Sequence, residues 1–157
     1  MRRIAGLCVL LLLPMLLASC QKVSVPRVSS KVGDVSEFAK TFTTHYLDNN
    51  YQTYESSQTA LKQEASPGLL QALQKSGAVP KSDKDVKAKA QVLAKKKQTS
   101  SVNVKEVKQG DVDANGLVQV NVQGEITGAG ARPFNLTYGI GIRKDNNKLA
   151  VVTVSGN

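Results

Sequence analysis

The apolar pattern of this chain changes its period once, near Gln98. Before that point apolar residues recur at the spacing of a helix face, and after it they alternate as along a half-buried strand. Four strands joined by short turns make an antiparallel meander with one apolar face, and several amphipathic helices precede it. Together they imply an α+β architecture in which helices pack on one face of a curved four-stranded antiparallel sheet.

The helical half opens at Asp34, which with Glu37 reads as a capping box, so a helix is expected to begin there. Val35, Phe38, Phe42, His45 and Tyr46 form its apolar stripe, which runs out near Asn49 and Asn50. Tyr51, Tyr54, Gln58, Leu61 and Ala65 predict a second helix. Ser66-Pro67-Gly68 breaks it, with Pro67 in the first turn of a third helix that carries Leu69, Leu70 and Leu73. Gly77 and Pro80 interrupt that helix, and a fourth, from about Asp83 to Lys97, places Val86, Ala90 and Leu93 on one face and its lysines on the other.

In the second half, Val102, Val104 and Val107 open the first strand, and Asp113-Ala114-Asn115-Gly116 carries a hairpin signal in its Asn-Gly pair. Val118, Val120 and Val122 alternate with Gln119, Asn121 and Gln123. After a turn at residues 128–131, Phe134, Leu136, Tyr138, Ile140 and Ile142 alternate with Asn135, Thr137, Gly139, Gly141 and Arg143. Residues 145–147 return the chain into Leu149 to Val154. The sheet's other face is rich in amides and glycines and is left to solvent or to a partner subunit, a second copy included.

The first twenty residues are of another kind. Arg2 and Arg3 precede an apolar run from Ile4 to Ala18, broken by Pro14, and then Ser19 and Cys20, the layout of a secretory signal. As a helix the run would reach only about 22 Å, against a hydrocarbon core of about 30 Å, so it is not read as a span. Leu17-Ala18-Ser19-Cys20 resembles the lipobox of bacterial lipoproteins, which implies removal of residues 1–19 and acylation of Cys20 by chains such as palmitate. Several acyl chains on one cysteine give the stable anchoring that a single chain does not. Residues 20–33 then form the lipidated cysteine and a tether, averaging roughly 20 Å and reaching at most about 43 Å. Residues 34–157 remain as one domain. Cys8 leaves with the signal and Cys20 takes lipid, so no thiol is left for a disulfide. Gln21 stands where an aspartate would resemble the inner-membrane retention signal of enteric bacteria, so a periplasm-facing place on the inner leaflet of the outer membrane is expected over the inner membrane.

The formal charge of the whole chain is +9. Outside the cytoplasm such a charge steers toward anionic headgroups, anionic envelope polymers or acidic proteins. Seven lysines between Lys81 and Lys97 face only Asp83 and Asp85, and Lys87, Lys95 and Lys96 are the candidate contacts. That stretch has no aromatic residue on which a base could stack, so no nucleic acid is expected. Tyr46, Tyr51 and Tyr54 meet at the junction of the first two helices, as core residues or as the lining of a groove. The lone His45 is read as half-buried and satisfied by a neighbour in preference to a general base. Glu55 and Glu64 are read as solvated. Without a phosphate loop, a metal-ligand cluster or a mature thiol, neither a catalytic motif nor a cofactor is expected.

Beyond these patterns the chain resembles the periplasmic domains of type IV secretion, of the VirB-eight type that includes the TraE proteins of F-type conjugation. The resemblance covers roughly residues 35–154. It rests on Gln58-Thr59-Ala60-Leu61 and Ser66-Pro67-Gly68 in the helix pair, Gln98-Thr99-Ser100 at the first strand, Val118 to Gly124 in the second, Arg132-Pro133-Phe134 at the third and Ile140 to Lys144 at its end. It implies a nuclear-transport-factor-like cone and a non-enzymatic scaffold or assembly role, with other secretion proteins as partners. Those proteins carry a cytoplasmic tail and one inner-membrane helix where this chain carries a lipobox. A ligand-binding envelope lipoprotein using the hollow between helices and sheet is the second reading, and an enzyme in that hollow the third.

Overall fold

The structure, a computed structural model, describes residues 32–128, 132–145 and 148–156. Cys20, the signal and the tether lie outside the described residues, as do the centres of the turns expected at 128–131 and 145–147.

Four helices precede four strands: α1 (Val32–Leu47), α2 (Tyr54–Glu64), α3 (Pro67–Ser76), α4 (Asp83–Lys95), β1 (Ser100–Val112), β2 (Leu117–Gly128), β3 (Phe134–Asp145) and β4 (Lys148–Gly156). The strands form one antiparallel sheet in the order β1-β2-β3-β4. α1 lies across the inner face of all four strands, α2 packs beside α1 and β4, α3 rests on β4, and α4 lies outside, against α2.

The main core fills the space between α1 and the sheet. Phe42, Val122 and Val151 are fully buried, and Val35, Val120, Ile140 and Ile142 nearly so. Phe38, Tyr46, Val107 and Tyr138 pack at its margin. A second, smaller core holds Tyr54, Val86, Ala90 and Leu93 between α2 and α4. The hollow expected between helices and sheet is thus occupied by the protein's own apolar side chains, as close packing of interiors requires.

Local chemistry sets the boundaries. α1 is already helical at Val32, the first described residue, so Asp34 lies within the helix and does not cap it. Its carboxylate there still complements the positive end of the helix dipole. Pro67 stands in the first turn of α3, as expected, and Ser66 before it caps the helix by accepting from Leu69 N. α4 opens on a box that the sequence reading missed: the Ser82 hydroxyl accepts from Asp85 N while the Asp85 carboxylate accepts from Ser82 N. In β1 an extra residue between Val104 and Glu106 shifts the register, and this bulge returns Val107 to the face shared by Val102 and Val104. The β1–β2 turn places only its glycine in the left-handed region, Gly116 at φ 73°. Asn115 is not left-handed, so the Asn-Gly pair builds a three-residue glycine-bulge turn in place of the two-residue one its letters favour. Asp113 Oδ1 holds that turn by accepting from Asn115 N and Leu117 N, both at 2.8 Å.

Candidate functional site

The three tyrosines do not share a groove. Tyr46 stacks on Phe42 at 6.0 Å between centroids and meets Tyr138 edge-on at 6.0 Å, at the margin of the main core. Burial, then the neighbouring Tyr138, raises its phenol pKa. Tyr51 stands in the turn before α2, exposed, because that helix starts three residues later than its tyrosine spacing implied. Tyr54 belongs to the second core, with Lys89 Nζ 4.9 Å above its ring. Burial and then Asp48 push its pKa up to about 12. Its hydroxyl and the Oε1 of Gln58 one turn on are both buried without a hydrogen-bond partner among the described residues.

His45 is half-buried and satisfied by a neighbour, as expected, and that neighbour is Glu64. Its Nδ1 lies 2.9 and 3.0 Å from the two Glu64 oxygens, a link between α1 and α2. Glu64 is therefore not solvated, its side chain being only 14% exposed. Glu55 is exposed, on the rim of the α2–α4 cleft. Among the described residues no group of three or more His, Cys, Asp or Glu side chains is placed to hold a metal ion.

The lysines of α4 divide. Lys89 stays exposed along its length but lays its ammonium over the Tyr54 ring, and partial burial there lowers its pKa. Lys87 lines an open cleft of about 470 Å³ between α2 and α4, beside Glu55, Lys62 and Asp83. Lys62 Nζ lies 2.6 Å from Asp83 Oδ1, and this hydrogen bond holds the Asp83 carboxyl below its usual range. Lys95 is exposed in the last turn of α4. Lys96 follows it and lines a separate recess of about 420 Å³ at the corner where α4 passes into β1. The three expected contact lysines are therefore spread along α4 and do not converge on one point.

That corner recess escaped sequence reading because it joins residues far apart in the chain. Lys96 and Lys97 come from just past the end of α4, Asn49 from just past the end of α1, Ile126 from β2, Arg132 from just before β3 and Phe134 from its first residue. Phe134 pairs in register with Ile126 and keeps the inward parity of its strand, yet it is 60% exposed. The expectation that it joins the core fails because α1 ends at Leu47 and leaves this end of the sheet uncovered. Backbone and side-chain bonds fix the corner, from Tyr51 N to Gln98 O and from Asn49 N to Ser100 Oγ, each 3.0 Å.

No protein-family model matches the sequence, and no curated protein does. Solved structures are similar. The structure of the Agrobacterium tumefaciens VirB8 protein superposes with a TM-score of 0.54 at 15% identity, over 80% of this chain and 90% of that one. A periplasmic fragment of TraM superposes at 0.49 with 14% identity, over 80% and 96%. The described residues therefore carry a VirB8-like fold, four helices and a curved four-stranded antiparallel sheet.

Proposed function

We propose that this chain is a non-enzymatic scaffold or assembly component of a type IV secretion or conjugative apparatus. It is held on an envelope membrane by lipid on Cys20 and works through protein contacts on the periplasmic side. The observation that carries the reading is the VirB8-like fold, matched over 80% of this chain. Fold alone transfers function weakly. The lipobox-like Leu17 to Cys20 supports the lipid anchor, and the basic face of α4 with a lone histidine already tied to Glu64 supports contacts over turnover. No described helix is long and apolar enough to cross a membrane.

The test is a deletion strain of the native host, complemented and scored for transfer with abundance checked by immunoblot. Deletion should abolish transfer. His45→Gln keeps a donor for Glu64 and should leave transfer largely intact, whereas joint charge reversal at Lys87, Lys95 and Lys96 should lower it about tenfold or more, since steering by exposed charge scales on-rates by such factors. Normal transfer by the deletion strain would remove the assignment, and loss in His45→Gln at normal abundance would replace it with an enzyme. Mass spectrometry of the N-terminal peptide reads the anchor separately: acylated Cys20 is expected, and an unmodified Cys20 still joined to Ser19 would remove it.

A further inference from the structure

The cleft between α2 and α4 carries both signs of charge, with Glu55 and Asp83 facing Lys62 and Lys87. The corner recess does not. Lys96, Lys97 and Arg132 line it, no carboxylate does, and among the described residues none of the three cations is in an ion pair. Ile126 and the 60%-exposed Phe134 supply its apolar side.

Lys97 is also the one non-glycine among the described residues with a left-handed backbone, at φ 46°. It closes α4 with the two bonds of a Schellman turn, Gln98 N to Leu93 O at 2.9 Å and Lys97 N to Ala94 O at 3.0 Å. The same place after α3 is filled by Gly77 at φ 80°, the residue that adopts this conformation without steric cost. The fold therefore gains nothing from a side chain at position 97, and that side chain lines the recess. Strain held where the local structure does not need it points from geometry to function.

We infer that the corner recess is a docking site for an acidic segment of a partner protein that presents an apolar side chain between its carboxylates. The apolar side chain seats against Phe134 and Ile126. Arg132 offers a planar fork for one carboxylate, and Lys96 and Lys97 provide point charges for others. A bilayer fits less well, because contact with lipid calls for protruding apolar groups and this surface is concave. The recess also lies beside Asn49, at the opposite end of α1 from Val32, where the chain enters; that helix has 16 residues and spans about 24 Å. In the membrane-anchored scaffold reading, on which this placement rests, the chain before α1 leads to the membrane.

The experiment places the photocrosslinking residue p-benzoylphenylalanine at position 134 of the full chain in its native host and sequences the adducts formed on irradiation. The expected adduct is one polypeptide segment in which Asp or Glu flanks an apolar contact residue. Its yield should fall in the Lys97→Gly and Arg132→Gln backgrounds. Binding of a synthetic copy of that segment to the purified full chain should weaken about fivefold with each substitution, the scale of one exposed charge contact. Lys97→Gly should at the same time raise the melting temperature, which separates lost binding from lost fold. Adducts on phospholipid, adducts on a segment without carboxylates, no adduct, or an adduct indifferent to both substitutions would each overturn the proposal. Because adducts are read without reference to transfer, a strain that needs this protein for transfer yet gives no adduct sinks the recess and leaves the scaffold reading standing. An acidic adduct in a strain that transfers normally without the protein does the reverse.

Discussion

Burial keeps the Tyr54 phenol neutral far into alkaline solution, with a pKa of about 12 against an ordinary 10.0. Below pH 10 the group is neutral in both folded and unfolded chains. Between the two values the unfolded chain loses the proton and the folded one keeps it, so stability falls as pH rises through that window. Tyr54→Phe should remove this share of the alkaline loss. Near neutrality it should be neutral or stabilising by up to about 1 kcal/mol, because the hydroxyl is buried without a partner and its removal relieves a desolvation cost. Urea denaturation at about pH 8 and about pH 11 decides it, and an equal fall in both proteins would contradict the assignment. At this scale the sequence was informative about identity and poor about address. That His45 is satisfied was legible from its place beside an apolar stripe. That Glu64 is the group satisfying it was not, because the contact joins two helices whose relative phase no periodicity reports. The tyrosines misled for the same reason: neighbours in sequence, they were parted by a helix start that moved from Tyr51 to Tyr54.

Among the elements, β3 was the most legible, since strict alternation fixes both a strand and its faces. Leu136 is 2% exposed and Tyr138 packs on Tyr46, while Asn135 and Thr137 face out. Leu136→Ala should therefore cost about 2 to 5 kcal/mol, as buried large-to-small changes do. Thr137→Ala should stay within about 0.5 kcal/mol. Equal damage in chemical denaturation would mean that the face assignment is wrong. The limit of alternation shows at Phe134, whose parity is right and whose burial is not, because parity names a face and says nothing of where its cover ends. The β1 bulge was half legible: Val107 falls out of step with Val102 and Val104, and the extra residue that reconciles them becomes visible only against β2. The α4 cap, by contrast, was there to be read in Ser82 and Asp85, three residues apart. The corner recess was not, since its lining comes from α1, α4, β2 and β3 and includes a strained backbone that no letter announces.

At the scale of the whole molecule, order of elements and fold class followed from one change of period, because that change dictates which surfaces must be covered and by what. How tightly the cover is attached is a separate matter. The main core belongs to α1, α2, α3 and the sheet, while α4 rests on a four-residue core of its own shared with α2. Cooperative units in proteins follow such divisions, and a unit with few buried apolar contacts opens at lower free energy than the rest. Native-state hydrogen exchange should accordingly find the α4 amides released by a partial opening that leaves β2 and β3 protected. Identical protection in α4 and β2 would show one indivisible unit instead. If α4 opens by itself, the end of the helix that carries Lys96 and Lys97 opens with it, and the corner is dismantled without unfolding the protein. A bound partner would then hold the helix shut, and its grip would be measurable as slowed exchange in α4 alone.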